Sequence, residues 1–591
     1  MFLATTASTE FWSEEERVIL LGDWCLGNYD NNNLNALSYE ILPYPWCNND
    51  DKNNAYLHCC NVYENLLPVI ADLLNNVFGE KNGHRYWRIL IGEWMWRYIQ
   101  ILYDRYFCLK LALETYDNVW TTMLHSDSYR HVNDNLEFIN LCGSFSDRRT
   151  HIYNLQLYSN ILALLGYKFP TQKIKKENQF ESRTRNNNRN NRLFRTIPKR
   201  LKELINNRLQ SSTLVVYDGV FYHRESYIKE INLDVNIKID KIRNDFDSFQ
   251  NIMPQKSMRK IFKELSSSDE FEKCCLKMME YCFPITFLEG YREIKNHISR
   301  AIKKTPKIII SSISWRFDVL SAMYISECIN RGSILLGFQH GGGYGIYKLD
   351  PMLINELKVV DYFISWGWSN NNSKIIPWPA FNSDLGSKIP MTSGLNKYLF
   401  VSNSMPHYLT IFQSSPVSST VKDYNHLQKV FFSKLHNNVR KLFIYRSYMH
   451  DYGWEQTVLK SFSEVECDDL NDTFTDKAKK SRLVVIDNNQ TSFLESISLN
   501  IPTILYWDMN VWEVNDSAKH LFKELRSVSV FHDTPESAAD FINNNYREIE
   551  HWWWSKEVQN SVLNFRNKYA RTSNRLIAEW TEGIKTILNS I

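Results

Sequence analysis

An α/β architecture with two Rossmann-like domains is what the sequence predicts, and three observations predict it. Short apolar runs rich in Ile, Val and Leu alternate with helical stretches, the pattern of strands buried on both faces of parallel sheets. The runs form two series, separated by a break near Ile376-Pro-Trp-Pro379 and Ser387–Ser393. The chain has 591 residues, too many for one ordinary domain.

The first series begins with Arg17-Val-Ile-Leu-Leu-Gly22, followed by Asp23 and Trp24 at its end. Between residues 55 and 165 the period changes. Tyr63, Leu66, Leu67, Ile70, Leu73 and Leu74 recur at helical spacing, as do Trp87, Leu90, Ile91, Trp94, Tyr98 and Leu102. This block reads as a largely helical insertion. Residues 173–202 are rich in Asn, Arg and Lys and poor in large apolar side chains. They are expected to form a mobile basic loop, a solvated surface or a patch that touches anionic lipid. Strands resume at Thr213–Asp218, Lys307–Ser312, Ser333–Phe338 and Val359–Trp366. The second series comprises Lys397–Ser402, Lys441–Arg446, Leu483–Asp487, Thr503–Trp507 and Val528–Phe531, followed by helical segments to Ile591. The expected domains are therefore 1–385, carrying the insertion and the basic loop, and 386–591.

Composition narrows the function. There are 69 Lys and Arg against 66 Asp and Glu, a net charge of +3, too balanced for nucleic acid as the main partner. The 18 Trp and 32 Tyr suit either carbohydrate sites or aromatic cores. The 11 cysteines lack zinc spacing and include the vicinal pairs Cys59-Cys60 and Cys274-Cys275, as expected of a reduced, cytoplasmic protein. The opening Met1-Phe-Leu-Ala-Thr-Thr-Ala-Ser8 does not read as a signal peptide, and no apolar run is long enough to span a bilayer. Any membrane contact is expected to be peripheral.

The candidate site starts at Gln339-His-Gly-Gly-Gly-Tyr-Gly345, directly after a strand. Ligands in α/β folds bind beyond the carboxyl ends of parallel strands. Glycines let a ligand approach the main chain closely. The order is neither a dinucleotide fingerprint nor a P-loop. His340 is the candidate catalytic group, as general base or as hydrogen-bond donor to a leaving phosphate. Gln339, Gly341, Gly342, Tyr344 and Lys348 are candidate substrate contacts. In the second series, Gln490, Thr491, Ser492 and Glu495 stand where a helix should begin. Its N–H groups suit phosphate and Glu495 suits ribose hydroxyls, although ordinary helix capping explains the same residue types. Arg446, Ser402 and Arg316 follow other strands and are candidates for phosphate or nucleotide contact. Asp23 is the rival base. The triplet Asp245-Phe-Asp247 lies in a charged stretch with no strand leading into it, so no metal and no other cofactor is expected.

Some of these residues also carry a resemblance. Phe2-Leu-Ala-Thr-Thr6, Leu20-Leu-Gly-Asp-Trp-Cys25, His84, Tyr86-Trp87, Gly92-Glu-Trp94 and Tyr103-Asp-Arg105 resemble a family of transferases encoded in O-antigen and surface-polysaccharide clusters. The Gln339–Gly345 and Asp487–Pro502 blocks extend the resemblance to nearly the whole chain. More distantly, Gln339-His-Gly341 and Asp361-Tyr-Phe-Ile-Ser-Trp-Gly367 look like the capsule Kdo transferases and the CDP-glycerol glycerophosphotransferases. The resemblance implies a GT-B-like glycosyltransferase, with the acceptor in the N-terminal domain and a nucleotide-sugar in the C-terminal one. It favours a CMP-linked ulosonic acid as donor and a glycan or lipid-linked glycan as acceptor. The alternatives are a polyol-phosphate transferase using a CDP-alcohol and a non-catalytic scaffold of a polysaccharide assembly complex.

Overall fold

The computed structural model describes residues 1–13, 15–26, 38–144, 147–174, 214–216, 252–380, 396–448 and 458–590. Most of the basic loop, the Asp245 triplet and the expected domain junction near 385 lie outside these residues. The protein is mixed α/β with parallel sheets, divided into two compact units. The first comprises Met1–Leu336 and Pro406–Phe412, the second Gly337–Met405 and Gln413–Ile591. The division therefore falls at 336/337 rather than 385/386, and seven residues of the later chain return to the first unit.

The reason for the shift lies in what residues 337–380 pack against. Tyr347 and Val514 form an antiparallel bridge. A Cβ on Gly583 would lie 2.0 Å from Trp378, so the indole rests directly on the C-terminal helix Leu576–Asn589. The stretch carrying His340 thus belongs with the C-terminal sequence.

In the first unit, Phe2–Ala4, Val18–Leu20 and Tyr39–Ile41 form a parallel sheet of their own, with Val18–Leu20 central and fully buried. Ile308–Ile310 pairs in parallel with Leu214–Val216 and with Ile334–Leu336. The single expected strand series is thus split between sheets, and its opening strand, Phe2–Ala4, is too short to announce itself. Between them lie the helices Asn49–Phe78, His84–Leu90, Gly92–Thr115 and Arg148–Leu164. Asn48 caps the first by accepting from the Asp50 amide, and Gly79 ends it at φ 70°, a left-handed turn that glycine adopts without cost. Many of the tryptophans are core residues here, among them Trp24, Trp87, Trp94 and Trp96.

Two buried ion clusters tie this unit together. Glu93 accepts from Arg97 at 2.8 Å and from Arg316 at 3.0 Å. Burial pushes the Glu93 carboxyl up, but Arg316 and Arg97 outweigh it and hold it below the usual carboxylate range. Arg105 donates to Asp104 at 2.6 Å, Asn154 at 3.0 Å, and the carbonyls of Leu409 at 2.8 Å and Cys142 at 3.2 Å. Asp104 also accepts from Tyr44 and Trp46. The returning segment is held further by the Phe412 amide, which donates to Gln100 at 2.9 Å, and by His151 against the Tyr408 hydroxyl at 2.9 Å.

The second unit is built on a six-stranded parallel sheet. Its spatial order is Glu466–Cys467, Phe443–Arg446, Tyr398–Val401, Leu483–Ile486, Thr503–Tyr506, Phe531–His532. Numbered along the chain from Tyr398–Val401, this is the order 3-2-1-4-5-6. The direction of winding reverses between Tyr398–Val401 and Leu483–Ile486, a switch point of the kind at whose carboxyl edge α/β sheets bind ligands. Tyr398, Phe400, Phe431, Phe432, Phe443, Tyr445 and Tyr506 pack one aromatic face of this sheet. Tyr362–Ser365 and Ile375–Pro377 form a further parallel pair.

Candidate functional site

The second unit brings together most of the residues singled out from the sequence. The loop after Phe338 lies on the N-terminus of the helix Thr491–Ser498. A Cβ on Gly342 would sit 2.3 Å from the Gln490 carbonyl carbon, and one on Gly341 would sit 2.6 Å from Thr491 Oγ1. The glycines thus permit close approach of the protein's own backbone. The Gly342 amide donates to Thr491 Oγ1 at 3.0 Å. Gly343 and Gly345 have φ of 87° and 69°, so the loop turns twice through conformations that other residues resist.

The rest of the loop is pinned along its length. Tyr347 OH donates to the Asn489 carbonyl at 2.8 Å and accepts from Gln490 Nε2 at 2.5 Å. The Lys348 amide donates to the Glu513 carbonyl, and its ammonium pairs with the Glu513 carboxylate at 2.8 Å. Gln339 is buried and fully engaged. Its Nε2 donates to the Gly341 carbonyl, and its Oε1 accepts from the Trp366 amide and the Trp368 indole. It braces the loop from within. His340, half-buried, faces Tyr344 OH at 3.2 Å, and Tyr344 OH donates to Glu356 Oε1 at 2.8 Å.

The helix Thr491–Ser498 begins at Gln490, whose extended backbone forms the N-cap without a side-chain cap. The Thr491 and Ser492 hydroxyls and Glu495 are half-buried on its first turns. Thr491 and Ser492 thus lie inside the helix rather than at its cap, and the Gln490 side chain makes no cap hydrogen bond. Just before the helix, Asn489 is completely buried and neither atom of its carboxamide has a partner. Such orphaned groups are rare and costly in a folded interior.

The carboxyl edge at this switch point is a polar web. Asp487, at the end of Leu483–Ile486, accepts from Tyr424 OH at 2.7 Å, Gln428 Nε2 at 2.8 Å and Asn488 Nδ2 at 3.0 Å. Burial pushes its carboxyl up to about 7, against the pull of these three donors. Gln428 accepts from Tyr445 OH, which accepts from Ser402 Oγ. Ser402 thus belongs to the web. Asn488 also donates to the Val401 carbonyl, and the Asn403 amide donates to Tyr424 OH. One network therefore joins the carboxyl ends of the strands on both sides of the switch point.

Arg446 pairs with the buried Asp468 and donates to the Asp472 carbonyl at 3.1 Å. Lys477 reaches the same Asp468 carboxylate at 2.9 Å. Arg446 and Lys477 are each partly exposed, and Asp469 and Asp472 add negative charge beside Lys477.

Arg316 and Asp23 belong to the first unit. Arg316 is buried in the Glu93 cluster, and that carboxylate partner accounts for its burial. Asp23 is half-buried and opens the turn Asp23–Leu26 after the central strand of the N-terminal sheet. Among the described residues no cluster of His, Cys, Asp and Glu is arranged to hold a metal ion, and no helix is long and apolar enough to cross a membrane.

Three features escape sequence reasoning: Glu356, the Asp487 web and the orphaned Asn489. Asp487 alone left a signal, a carboxylate closing a wholly apolar strand. Glu356 lies in an ordinary helix, Pro351–Val359, and nothing in its neighbours marks it.

Comparison with known proteins adds the following. The chain overlaps the wall teichoic acid polymerase TagF over 48% of its own length and 74% of that chain, at 9% identity and a TM-score of 0.28. It overlaps the UDP-GlcNAc 2-epimerase of Methanocaldococcus jannaschii, solved with UDP-GlcNAc and UDP, over 64% and 99% at 11% identity and a TM-score of 0.34. Overlaps of this size decide neither fold nor chemistry. No curated protein matches the sequence. The model of the LIC12162 family transferases matches residues 1–584, nearly the whole chain, and the protein is a transferase of that family.

Proposed function

We propose that the protein is a GT-B-type glycosyltransferase of bacterial surface-polysaccharide assembly, with a Rossmann-like donor domain formed by its second unit. It transfers a sugar from a nucleotide-activated donor, with a CMP-linked ulosonic acid preferred, to a glycan or lipid-linked glycan at the inner face of the membrane. The observation that carries this reading is the N-terminus of Thr491–Ser498, without a cap from the Gln490 side chain, packed under a His-bearing glycine loop in the unit built on a 3-2-1-4-5-6 sheet. Helix N-termini offer N–H groups and partial positive charge to phosphate. Thr491 and Ser492 hold the donor phosphate, Glu495 takes the ribose hydroxyls, and Arg446, partly exposed at the end of Phe443–Arg446, contributes a nucleotide contact. His340 removes the proton from the acceptor hydroxyl as the glycosidic bond forms, and the nucleotide leaves with the bonding electrons.

The test is a thermal-shift panel of CMP, CDP, UDP, GDP and dTDP. A ligand at 100 times its Kd stabilises by about 2.7 kcal/mol, so one nucleotide should raise the melting temperature clearly. His340→Ala should keep that shift and lose about 10²–10⁴-fold in turnover, the range of a general base. Absence of any shift at millimolar nucleotide would remove the donor site, and wild-type turnover in the His340 variant would remove the base. Phosphorus retained in the product would replace sugar transfer by polyol-phosphate transfer.

A further inference from the structure

The peptide unit between Gly341 and Gly342 is held at both ends. Its carbonyl accepts from Gln339 Nε2 at 2.8 Å, and its N–H donates to Thr491 Oγ1 at 3.0 Å. His340 lies between the residue that reaches out and the carbonyl it grasps, so the Gln339 side chain closes a ring around the His340 backbone. The other end of the same carboxamide is also engaged. Gln339 Oε1 accepts from the Trp366 amide at 3.0 Å and from the Trp368 indole at 2.7 Å. The Gln339 amide itself donates to the Ile364 carbonyl at 2.8 Å.

These partners dictate both the orientation and the residue type. A backbone or indole N–H only donates and a peptide carbonyl only accepts, so the carboxamide cannot be flipped. Its oxygen must face the tryptophans and its nitrogen must face Gly341. Ionised glutamate has no proton for that carbonyl, and an apolar side chain serves neither end. Gly367 turns the chain between the two tryptophans at φ 105°. Gln339 and Trp368 are both buried, and Trp368 also floors the far end of the loop, where a Cβ on Gly345 would come within 2.4 Å of the indole. On the helix side, the Thr491 hydroxyl takes the Gly342 N–H as acceptor and can still donate its own proton to a ligand oxygen.

We propose that Gln339 is a positioning residue. Through the peptide unit between Gly341 and Gly342 it fixes His340 relative to Thr491, and so couples the base loop to the helix terminus that holds the donor phosphate. Its consequence for turnover rests on the transferase reading of that site; the clamp is a property of the protein alone.

The experiment is Gln339→Glu in the full-length protein, followed against pH beside the wild type. A protonated carboxyl reproduces the carboxamide: its carbonyl oxygen accepts from both tryptophans and its hydroxyl donates to Gly341. The ionised form turns a second acceptor on the Gly341 carbonyl. Burial raises Asp487 to about 7 even with three donors on it, and the introduced carboxyl, buried and facing a carbonyl, should be raised as well. A carboxyl raised above its unfolded value contributes stability at low pH that is lost as pH rises through the folded value. Between about pH 6 and 9 the variant should therefore melt progressively below the wild type, and hydrogen exchange over residues 339–347 should quicken. Over the same range its turnover relative to the wild type should fall about 10²-fold, with the donor KM unchanged. Gln339→Met should lose turnover at every pH. Melting and exchange differences that stay constant with pH overturn the proposal. A pH-dependent exchange difference beside a flat turnover ratio overturns it too, because the clamp would then not position the base. Where neither variant folds, exchange in the wild type decides: a Gly342 amide exchanging at the rate of an open loop overturns the clamp. Absence of any wild-type turnover beside pH-dependent exchange in Gln339→Glu would instead remove the transferase reading and leave the clamp standing.

Discussion

Replacing Gly342 with alanine drives a methyl carbon into the backbone at the start of the Thr491 helix. The new Cβ would lie 2.3 Å from the Gln490 carbonyl carbon and 2.5 Å from both the Gln490 oxygen and the Thr491 nitrogen. Carbon atoms rest comfortably at about 3.5–4.0 Å. The obstacle is main chain at a helix terminus, which no rotamer change can move. Overpacking of this kind costs about 1–3 kcal/mol. Pushing the loop away also breaks the bond from the Gly342 amide to Thr491 Oγ1, worth about 1 kcal/mol more. The sum is about 3 kcal/mol. In a unit of about 250 residues each kcal/mol moves the melting temperature by roughly 2–4 °C, so a fall of about 9 °C is expected. The backbone at Gly342 lies outside the left-handed region, so the effect is contact alone. Thr491→Val separates the parts, since it keeps the shape, removes the acceptor and should cost only about 1 kcal/mol. The assay is differential scanning fluorimetry of the three proteins side by side. A Gly342→Ala protein melting within 1 °C of wild type would refute the packing of the loop on the helix.

Other expectations follow from the buried charges. Burial raises Asp487 from its ordinary 3.8 to about 7, so its contribution is complete below pH 4 and is lost as pH rises through 7. The loss is on the order of 4 kcal/mol, and Asp487→Asn should remove that slope while adding a pH-independent cost, because all three partners of the carboxylate donate. Melting temperatures of the two proteins between pH 4 and 8 measure it, and a constant difference would contradict it. Glu93→Ala strands the buried guanidiniums of Arg97 and Arg316 and should cost about 3–5 kcal/mol in urea unfolding. Arg316→Ala should destabilise in the same way yet preserve the nucleotide shift. A folded Arg316→Ala protein that no longer responds to nucleotide would return Arg316 to the binding site.

Much of the second unit's sheet could be read in advance, because Leu483–Ile486 and Thr503–Tyr506 are continuous apolar runs bounded by polar turns. The three-residue strand Phe2–Ala4 could not, being shorter than any period that would mark it. Helical spacing exposed the block around Tyr63 and Trp94 because its core faces repeat over several turns. The sequence marks a candidate site at His340 and at Thr491, where glycines and a polar strand-to-helix junction break the apolar rhythm. The contact of Gly341 and Gly342 with Thr491 was not legible, since Gly342 and Thr491 lie 149 residues apart and only the fold joins them. Arg446 and Arg316 show the limit of residue type as a guide. Each follows a strand, as a ligand-binding arginine would, and each also meets a carboxylate, Asp468 or Glu93, that no local pattern announces.

The return of Pro406–Phe412 to the first unit sets a timetable for the growing chain. Arg105 and Gln100 are synthesised early, but the Leu409 carbonyl and the Phe412 amide they bind emerge some three hundred residues later. At about 5–20 residues per second, the stretch from Leu336 to Phe412 alone takes roughly 4–15 s to synthesise. During that interval the first unit carries a buried arginine that lacks one of its two carbonyl partners, the Leu409 oxygen. A nascent chain released at residue 336 should therefore remain open to protease, and one released after residue 412 should not.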